Sequence, residues 1–533
     1  MFDVKISGAT IIDGTSAEGY RGEVLVAGGV ITEIHRTPSG ESASESIDGD
    51  GLVVCPGFID LHSHSDFTLF SHPGAESKIH QGITTELVGN CGMAPYPLSD
   101  EFRDELLKYV GGRSGDIPWS WKDLNGYLDT LGSAGTAVNV GALAAHGSLR
   151  LAAMGFSDDE PTPRCLSRMK ELLANDLRAG AFGLSTGLIY APGTYARTDE
   201  IVELAGVLGD YGGFYATHLR GESDVLLDAV DEALEIGRKA RVPVHIAHLK
   251  AAGRSVWGAA EEVIGRMEDA REEGLDVTGD VYPYLAGATG LAALLPPWIL
   301  RDGVHGLISV LKSEPKRQRI AHEIEHGIEG WWNPIKAAGG WQAVMITGLS
   351  RPENARYSGM RVTEIAEIRE TTPLDAACDL LVEEEGSVGM IIFMMQEDDV
   401  RTFLGADGVS VGTDGSAMSP GKSLTHPRAY GTFPRVLARY VREEGLLSLP
   451  EAIHKMTALP AQRLGITDRG SLGPGARADL VMFSPDDIAD TATYSNPHAY
   501  PEGIEYVFVN GQKVVDLGSH TGNLAGKILR KEQ

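Results

Sequence analysis

Gly57 to Phe67 reads GFIDLHSHSDF. An apolar run that ends in two histidines one residue apart suits a β-strand, because residues i and i+2 of extended backbone point to the same side. His62 and His64 then share one face, while Leu61 and Ser63 take the other. For an isolated HxH, two structural histidines are as good a reading as two ligands. The rest of the chain decides between them.

Further apolar runs follow: ITTELVGNC, TAVNVGALAAHG, GAFGLSTGL, GFYATHLR, VPVHIAHLK, DVTGDVYPY and GVSVGTDG. Between them lie stretches such as PRCLSRMKELLANDLRAG and DVLLDAVDEALEIGRKA, which have helical periodicity and charged outer faces. Eight such units predict an α/β fold, a closed (β/α)8 TIM-like barrel over residues 57–466 with its site at the carboxyl ends of the strands. A doubly wound open sheet is the alternative, but no GxGxxG or phosphate loop supports nucleotide binding there. Both ends of the chain have a β-rich texture, as in GEVLVAGGVITEIHR and IEYVFVNGQKVVDLG. Residues 1–56 and 467–533 are therefore expected to form one small, discontinuous β-domain. Residues 285–348 break the repeat after strand seven, and an insertion on the catalytic face reads equally as a lid or as an extra packing subdomain.

At 533 residues and 42% hydrophobic content, the chain has room for one large core and a smaller domain. Its formal charge of −28 argues against nucleic acid, whose phosphates need a concentrated basic surface. No uncharged apolar run is long enough to span a bilayer, and MFDVKISGATIIDG lacks a basic region followed by an apolar one; a cytoplasmic location without a membrane partner is expected. The four cysteines, Cys55, Cys91, Cys165 and Cys378, are too scattered for a disulfide framework, so each is a free thiol or a metal ligand. An anionic substrate meets an unfavourable overall field, which makes pocket lysines and arginines informative.

Metal-competent side chains gather where a barrel places its site. Besides His62 and His64 there are Cys91 in VGNCG, His218 in YATHLR, His248 in HIAHLK and Asp414 in VGTDG. One histidine at a strand end is usually structural, but six such groups on five strand ends form a pattern. The HxH, the two later histidines and the final aspartate resemble the amidohydrolase superfamily, whose strand ends hold one or two divalent metals in the same order. That family usually adds a carboxylated lysine or a glutamate from strand four; AFGLSTGL has neither, and Cys91 at the end of strand two is the natural substitute, since a thiolate is anionic and holds zinc well. GITTELVGNCGMAP, STGLIYAPGTYA, IAHLKAAG, HPRAYGTFPRVL, MTALPAQRLGITDRGSLGPGARADLVMFSP and YPEGIEYVFVNG together resemble the D-aminoacylase branch, the N-acyl-D-amino acid deacylases, almost end to end. The resemblance implies one firmly held Zn2+ on Cys91, His218 and His248, with His62 and His64 forming a second, weaker metal position or lining the site.

Amide hydrolysis needs an activated water and a protonated leaving nitrogen. Asp414 is placed to accept the water's proton and pass it to the amine, and the resemblance assigns it that role. The resemblance also implies that Lys250, Tyr190 and Arg428 grip the α-carboxylate of a small-molecule substrate, with Tyr282 nearby; a planar guanidinium suits that geometry. Lys250 follows His248 by two residues, so a continuing strand would turn both to one side. The stretch MSPGK lengthens the interval between Asp414 and Arg428, and Ala288 stands where the family has a serine, with Thr289 next to it as a replacement hydroxyl. His72, His80, His245, His322, His326 and His454 read as structural, while His146 stands between a structural role and support of the ligands. A hydantoinase or dihydroorotase should carry the missing lysine, and a non-catalytic barrel subunit should have lost ligands. LAGATGLAALL, Leu285 to Leu295, has no lysine or arginine, which predicts a pocket for apolar D-amino acid side chains.

Overall fold

The computed structural model describes residues 2–110, 117–421 and 423–532. Lys422 of the MSPGK stretch, and the terminal residues Met1 and Gln533, lie outside the described residues. Each of the eight apolar runs contains a strand: Phe58–Asp60, Ile83–Val88, Asn139–Ala142, Gly183–Gly187, Phe214–His218, Val244–Ile246, Val277–Val281 and Val409–Val411. Nearly all their residues are buried. This is why they read as continuous apolar runs, for parallel strands are covered on both faces. The covering helices have one apolar stripe each. Leu226–Ala240 buries Leu226, Ala229, Val230, Ala233, Leu234, Ile236 and Gly237, the three- and four-residue spacing of a single helical face. Pro163–Arg178 starts on Thr162, whose side chain accepts from the Cys165 amide, with proline in its first turn.

The first three strands form one parallel sheet, and the other five, with the short Ala144–Ala145, form a second parallel sheet. Only Leu143 separates Asn139–Ala142 in one sheet from Ala144–Ala145 in the other. The opposite edges meet in an isolated parallel bridge between Ser63 and Gly415, and the Asp414 amide donates to the His62 carbonyl at 2.8 Å.

A nine-stranded sheet draws on both ends of the chain. Val53–Pro56 pairs antiparallel with Leu480–Phe483, joining Phe2–Ile11, Tyr20–Ala27, Val30–His35 and Ala43–Asp48 to Ile504–Val509, Gln512–Asp516 and Ser519–His520. The chain then returns to the parallel strands, where the Val140 amide donates to Lys527 and the Leu529 amide to Val140. Between Val281 and Val409 the chain makes a long excursion with the helices Gly303–Leu311 and Glu314–His326. A three-stranded antiparallel sheet closes it, with Gly389–Phe393 between Ala286–Gly290 and Val344–Ile346. No helix of the described residues is long and apolar enough to cross a membrane.

The seam between the two parallel sheets is pinned by a fully buried lysine. Lys78 Nζ donates to Asp60 Oδ2 (2.8 Å), Thr413 Oγ1 (2.8 Å) and the Gly415 carbonyl (2.9 Å), which uses all three ammonium protons. Glu86 Oε2 lies 3.5 Å away and accepts from Ser63 and Ser65. Burial raises the Glu86 pKa, and Lys78 opposes that rise. Lys78→Met would leave Asp60 and Glu86 buried without their cation. Denaturant unfolding is expected to show a loss of about 3–5 kcal/mol; a loss under about 1 kcal/mol would contradict this role.

Candidate active site

The chemistry-bearing residues sit where strands break. Cys91, His248 and Asp414 all have left-handed backbone, with φ of 52°, 35° and 48°. For residues with a β-carbon this costs on the order of 1–3 kcal/mol each and is held in place by the surroundings. For Cys91 the surroundings are visible. A β-carbon at Gly187, the end of strand four, would lie 2.0 Å from the Cys91 carbonyl, and one at Gly92 would lie 2.6 Å from the Gly187 amide. The Cys91 loop thus fills the space that a strand-four side chain at 187 would need. A lysine or glutamate at position 187 has no room here.

Cys91 is the hub. Its Sγ lies 3.3 Å from His62 Nε2, 3.5 Å from His248 Nε2 and 3.7 Å from His218 Nδ1. Ligand atoms of Cys91, His218 and His248, all buried, lie within 4.8 Å of one another, as do those of His62, His64, Cys91 and Asp414. A tetrahedral zinc with Zn–S and Zn–N bonds of ordinary length separates sulfur from nitrogen by about 3.5 Å. The first set therefore fits zinc in both donor chemistry and spacing. Burial opposes ionisation of Cys91, but His62 and His248 outweigh it and hold its thiol pKa well below the usual range, toward the thiolate that ligates metal. Burial, then Lys250 and His218, push His248 down to about 4, toward the neutral form a ligand needs.

Asp414 Oδ1 accepts from His64 Nε2 at 3.0 Å, and Oδ2 lies 2.7 Å from Arg428 Nη1. Burial would raise its pKa; Arg428 and the His64 hydrogen bond reverse this and hold it well below the carboxylate range. Lys250 Nζ is 2.6 Å from Glu222 Oε1 and 2.6 Å from His248 Nδ1. The strand had already ended at Ile246, so Lys250 reaches this position through a loop and not by strand alternation. The Arg428 guanidinium stacks over the Tyr282 ring at 4.7 Å, and Tyr190 packs edge-on against His218. Arg428 Nη1 and the Tyr282 hydroxyl are buried with no partner aligned for a hydrogen bond among the described residues.

Three supporting residues escaped the sequence reading. Asp280 accepts from His62 Nδ1 (3.2 Å), His245 Nε2 (2.9 Å) and the His248 amide (3.0 Å). Glu222 Oε1 faces His218 Nε2 at 3.5 Å and His248 Nδ1 at 3.4 Å, behind the two ligands. His426 accepts the Arg428 amide on Nδ1 and donates from Nε2 to the Ala286 carbonyl. An acid within the strand DVTGDV and another four residues after His218 were the available signals; His426, two residues before Arg428, had none. His146 pairs with Glu200, which also holds Arg150, and His245 supports the site through Asp280.

Two adjoining cavities open from this centre. The larger, about 500 Å³, includes His64, Cys91, Asp414 and Arg428 in its wall. The smaller, about 40 Å³, is lined by Lys250, Tyr282, Glu222, His218 and His248. Tyr190, Ala288, Thr289, Asp414 and Arg428 border both.

The amidohydrolase family model matches residues 45–297 and 384–515. A D-aminoacylase of Alcaligenes xylosoxydans xylosoxydans is 35% identical over 99% of this chain and 98% of its own. The structure of an N-acyl-D-glutamate deacylase from Bordetella bronchiseptica, complexed with zinc and a phosphonate mimic of the tetrahedral intermediate, superposes with a TM-score of 0.83 at 33% identity over 99% of both chains. A D-aminoacylase whose binuclear metal centre shows one-metal activation and second-metal attenuation gives 0.82 at 35% identity over the whole of both chains. The chain belongs to the amidohydrolase family, in the branch of the D-aminoacylases and N-acyl-D-amino acid deacylases.

Proposed function

We propose that this protein hydrolyses the amide bond of N-acyl-D-amino acids, releasing a carboxylate and a D-amino acid. One observation carries the reading: His218 and His248 of the buried Cys91–His218–His248 donor set, together with Asp414, border the cavity in which Lys250, Arg428 and Tyr282 converge. A metal site and a carboxylate clamp thus stand on either side of one carboxylate base. The D-aminoacylase and the N-acyl-D-glutamate deacylase that the chain resembles over nearly its whole length support the handedness. Behind this stands a (β/α)8 barrel over 57–466 formed by the two parallel sheets, a small β-domain of 1–56 with 467–533, and 285–348 as a lid over the site. The Ser63–Gly415 bridge and the cavity wall built by Ala288 to Leu307 support that arrangement.

Cys91, His218 and His248 would hold the tight zinc, and His62, His64, Cys91 and Asp414 a second, weaker position. When bound, zinc supplies a Lewis acid that acidifies water and polarises the acyl oxygen. Asp414 takes the proton from the attacking water and gives it to the departing nitrogen. The α-carboxylate of the substrate enters the small cavity and draws on Arg428, which relieves the charge that keeps Asp414 a weak base. Lys250, held by Glu222, and the Tyr282 and Tyr190 hydroxyls complete the clamp. Glu222 and Asp280 fix the orientation of the histidine rings, as carboxylates behind metal ligands do.

A paired comparison separates holding from chemistry. Cys91→Ala is expected to lose zinc on metal analysis, because the tight site has no other anion. Asp414→Asn is expected to keep that zinc while turnover of N-acetyl-D-leucine falls by about 10²–10⁴-fold. Zinc retained in the first variant, or turnover retained in the second, would contradict the assignment.

The relatives include enzymes for unlike side chains, so the walls must decide preference. Leu294, Trp332, Met390, Ile392 and Met394 line the small cavity. Arg220 is spent on a bidentate pair with Glu232, and Arg254 lies over Trp257. Among the described residues that line the small cavity, a second substrate carboxylate would find no cation beyond the clamp, and stranding it costs several kcal/mol. Each buried methylene contributes about 0.8 kcal/mol instead. kcat/KM for N-acetyl-D-leucine should exceed that for N-acetyl-D-glutamate by about tenfold or more; equality, or preference for glutamate, would overturn the apolar pocket.

A further inference from the structure

The larger cavity is far bigger than an acetyl group requires. Asp414 and Arg428 border both cavities, whereas Lys250 and Tyr282 line only the small one. At about 40 Å³ the small cavity takes the carboxylate and little more, so a substrate held in the clamp has its side chain at the edge between the two cavities. Its amide lies at the neck, beside Asp414. The acyl group must then point into the cavity of about 500 Å³. Away from the strand ends, that cavity is built by the excursion, with Leu300, Val304, Leu307, Leu349 and Val388 in its wall. The helix Arg103–Val110 packs against Gly303–Leu311 at this place. Apart from Cys91, Asp414, Arg428 and histidines, the only charged group among the described lining residues is Lys108, which is exposed and turned to His305 at 2.7 Å.

From this we infer that the large cavity is an acyl-chain pocket and that the preferred substrates carry a straight acyl chain of about eight carbons. The inference rests on the deacylase reading and names its acyl donor class. At roughly 30 Å³ per carbon, the share a water occupies in the liquid, an eight-carbon chain needs roughly 240 Å³. An acetyl group leaves most of this apolar wall against water. Each methylene carried inside raises kcat/KM about fourfold, the equivalent of about 0.8 kcal/mol, until the wall is reached.

The test compares N-acetyl-, N-butanoyl- and N-octanoyl-D-leucine on the zinc-loaded enzyme. kcat/KM is expected to rise through the series, by on the order of 10³-fold from acetyl to octanoyl, the product of six such steps. Val304→Trp, on the excursion helix, and Ala292→Phe, on the neighbouring turn, narrow the cavity away from the clamp. Either should remove most of the octanoyl gain and leave N-acetyl-D-leucine within about twofold. A flat or falling series in the wild-type chain overturns the acyl pocket and leaves the deacylase reading standing. Release of D-leucine from none of the three overturns both.

Discussion

A single buried ammonium group sets the geometry on which the rest depends. Lys78 gives its three protons to Asp60, Thr413 and Gly415. Asp60 stands two residues before His62, and Thr413 and Gly415 flank Asp414. The first and last parallel strands are thereby tied at the point where each turns into the site. A buried ion is costly to maintain without full pairing, and here each proton has an acceptor and the neighbouring Glu86 is met by two serine hydroxyls. The left-handed turn at Asp414 is affordable because both sides of it are fixed.

The same economy of space explains the choice of a thiolate. Strand four ends in glycine because the Cys91 carbonyl occupies the volume above Gly187. An anion is still needed near the histidines, and a short side chain on the loop after strand two reaches them at 3.3–3.7 Å. The chain carries a formal charge of −28, yet its clamp gathers Lys250 and Arg428 close to the centre. Local cations, and not the global field, govern an anionic substrate at this range, because burial removes the screening that weakens pairs in water.

Much of this was legible in the sequence. Parallel strands buried on both faces must be apolar, so a polar residue at the end of such a run stands out; His62, Cys91, His218, His248 and Asp414 all did. Glu222 and Asp280 did not, because an acid in or after a strand has no distinguishing spacing, and only the fold brings Asp280 against His62, 218 positions away. His426 reads like any histidine until Arg428 is seen to hang from it. Lys250 reached its place for a reason other than the one the pattern suggests, since the strand stops at Ile246 and the turn at His248 returns the chain. The break in the repeat at 285–348 lies within the excursion but stops short of its last part, and the sheet was not visible: Gly389–Phe393 pairs with strands 43 or more residues earlier in the chain, a relation that no local pattern encodes.

The proposed mechanism stands or falls on one zinc serving one enantiomer. Metal-free protein titrated with Zn2+ while amino acid release is followed from N-acetyl-D-leucine and N-acetyl-L-leucine tests both at once. The expected result is D-leucine release that climbs linearly and reaches its maximum at about one Zn2+ per chain, with no release of L-leucine. Activity that keeps rising to two equivalents, or equal release from both enantiomers, would contradict it.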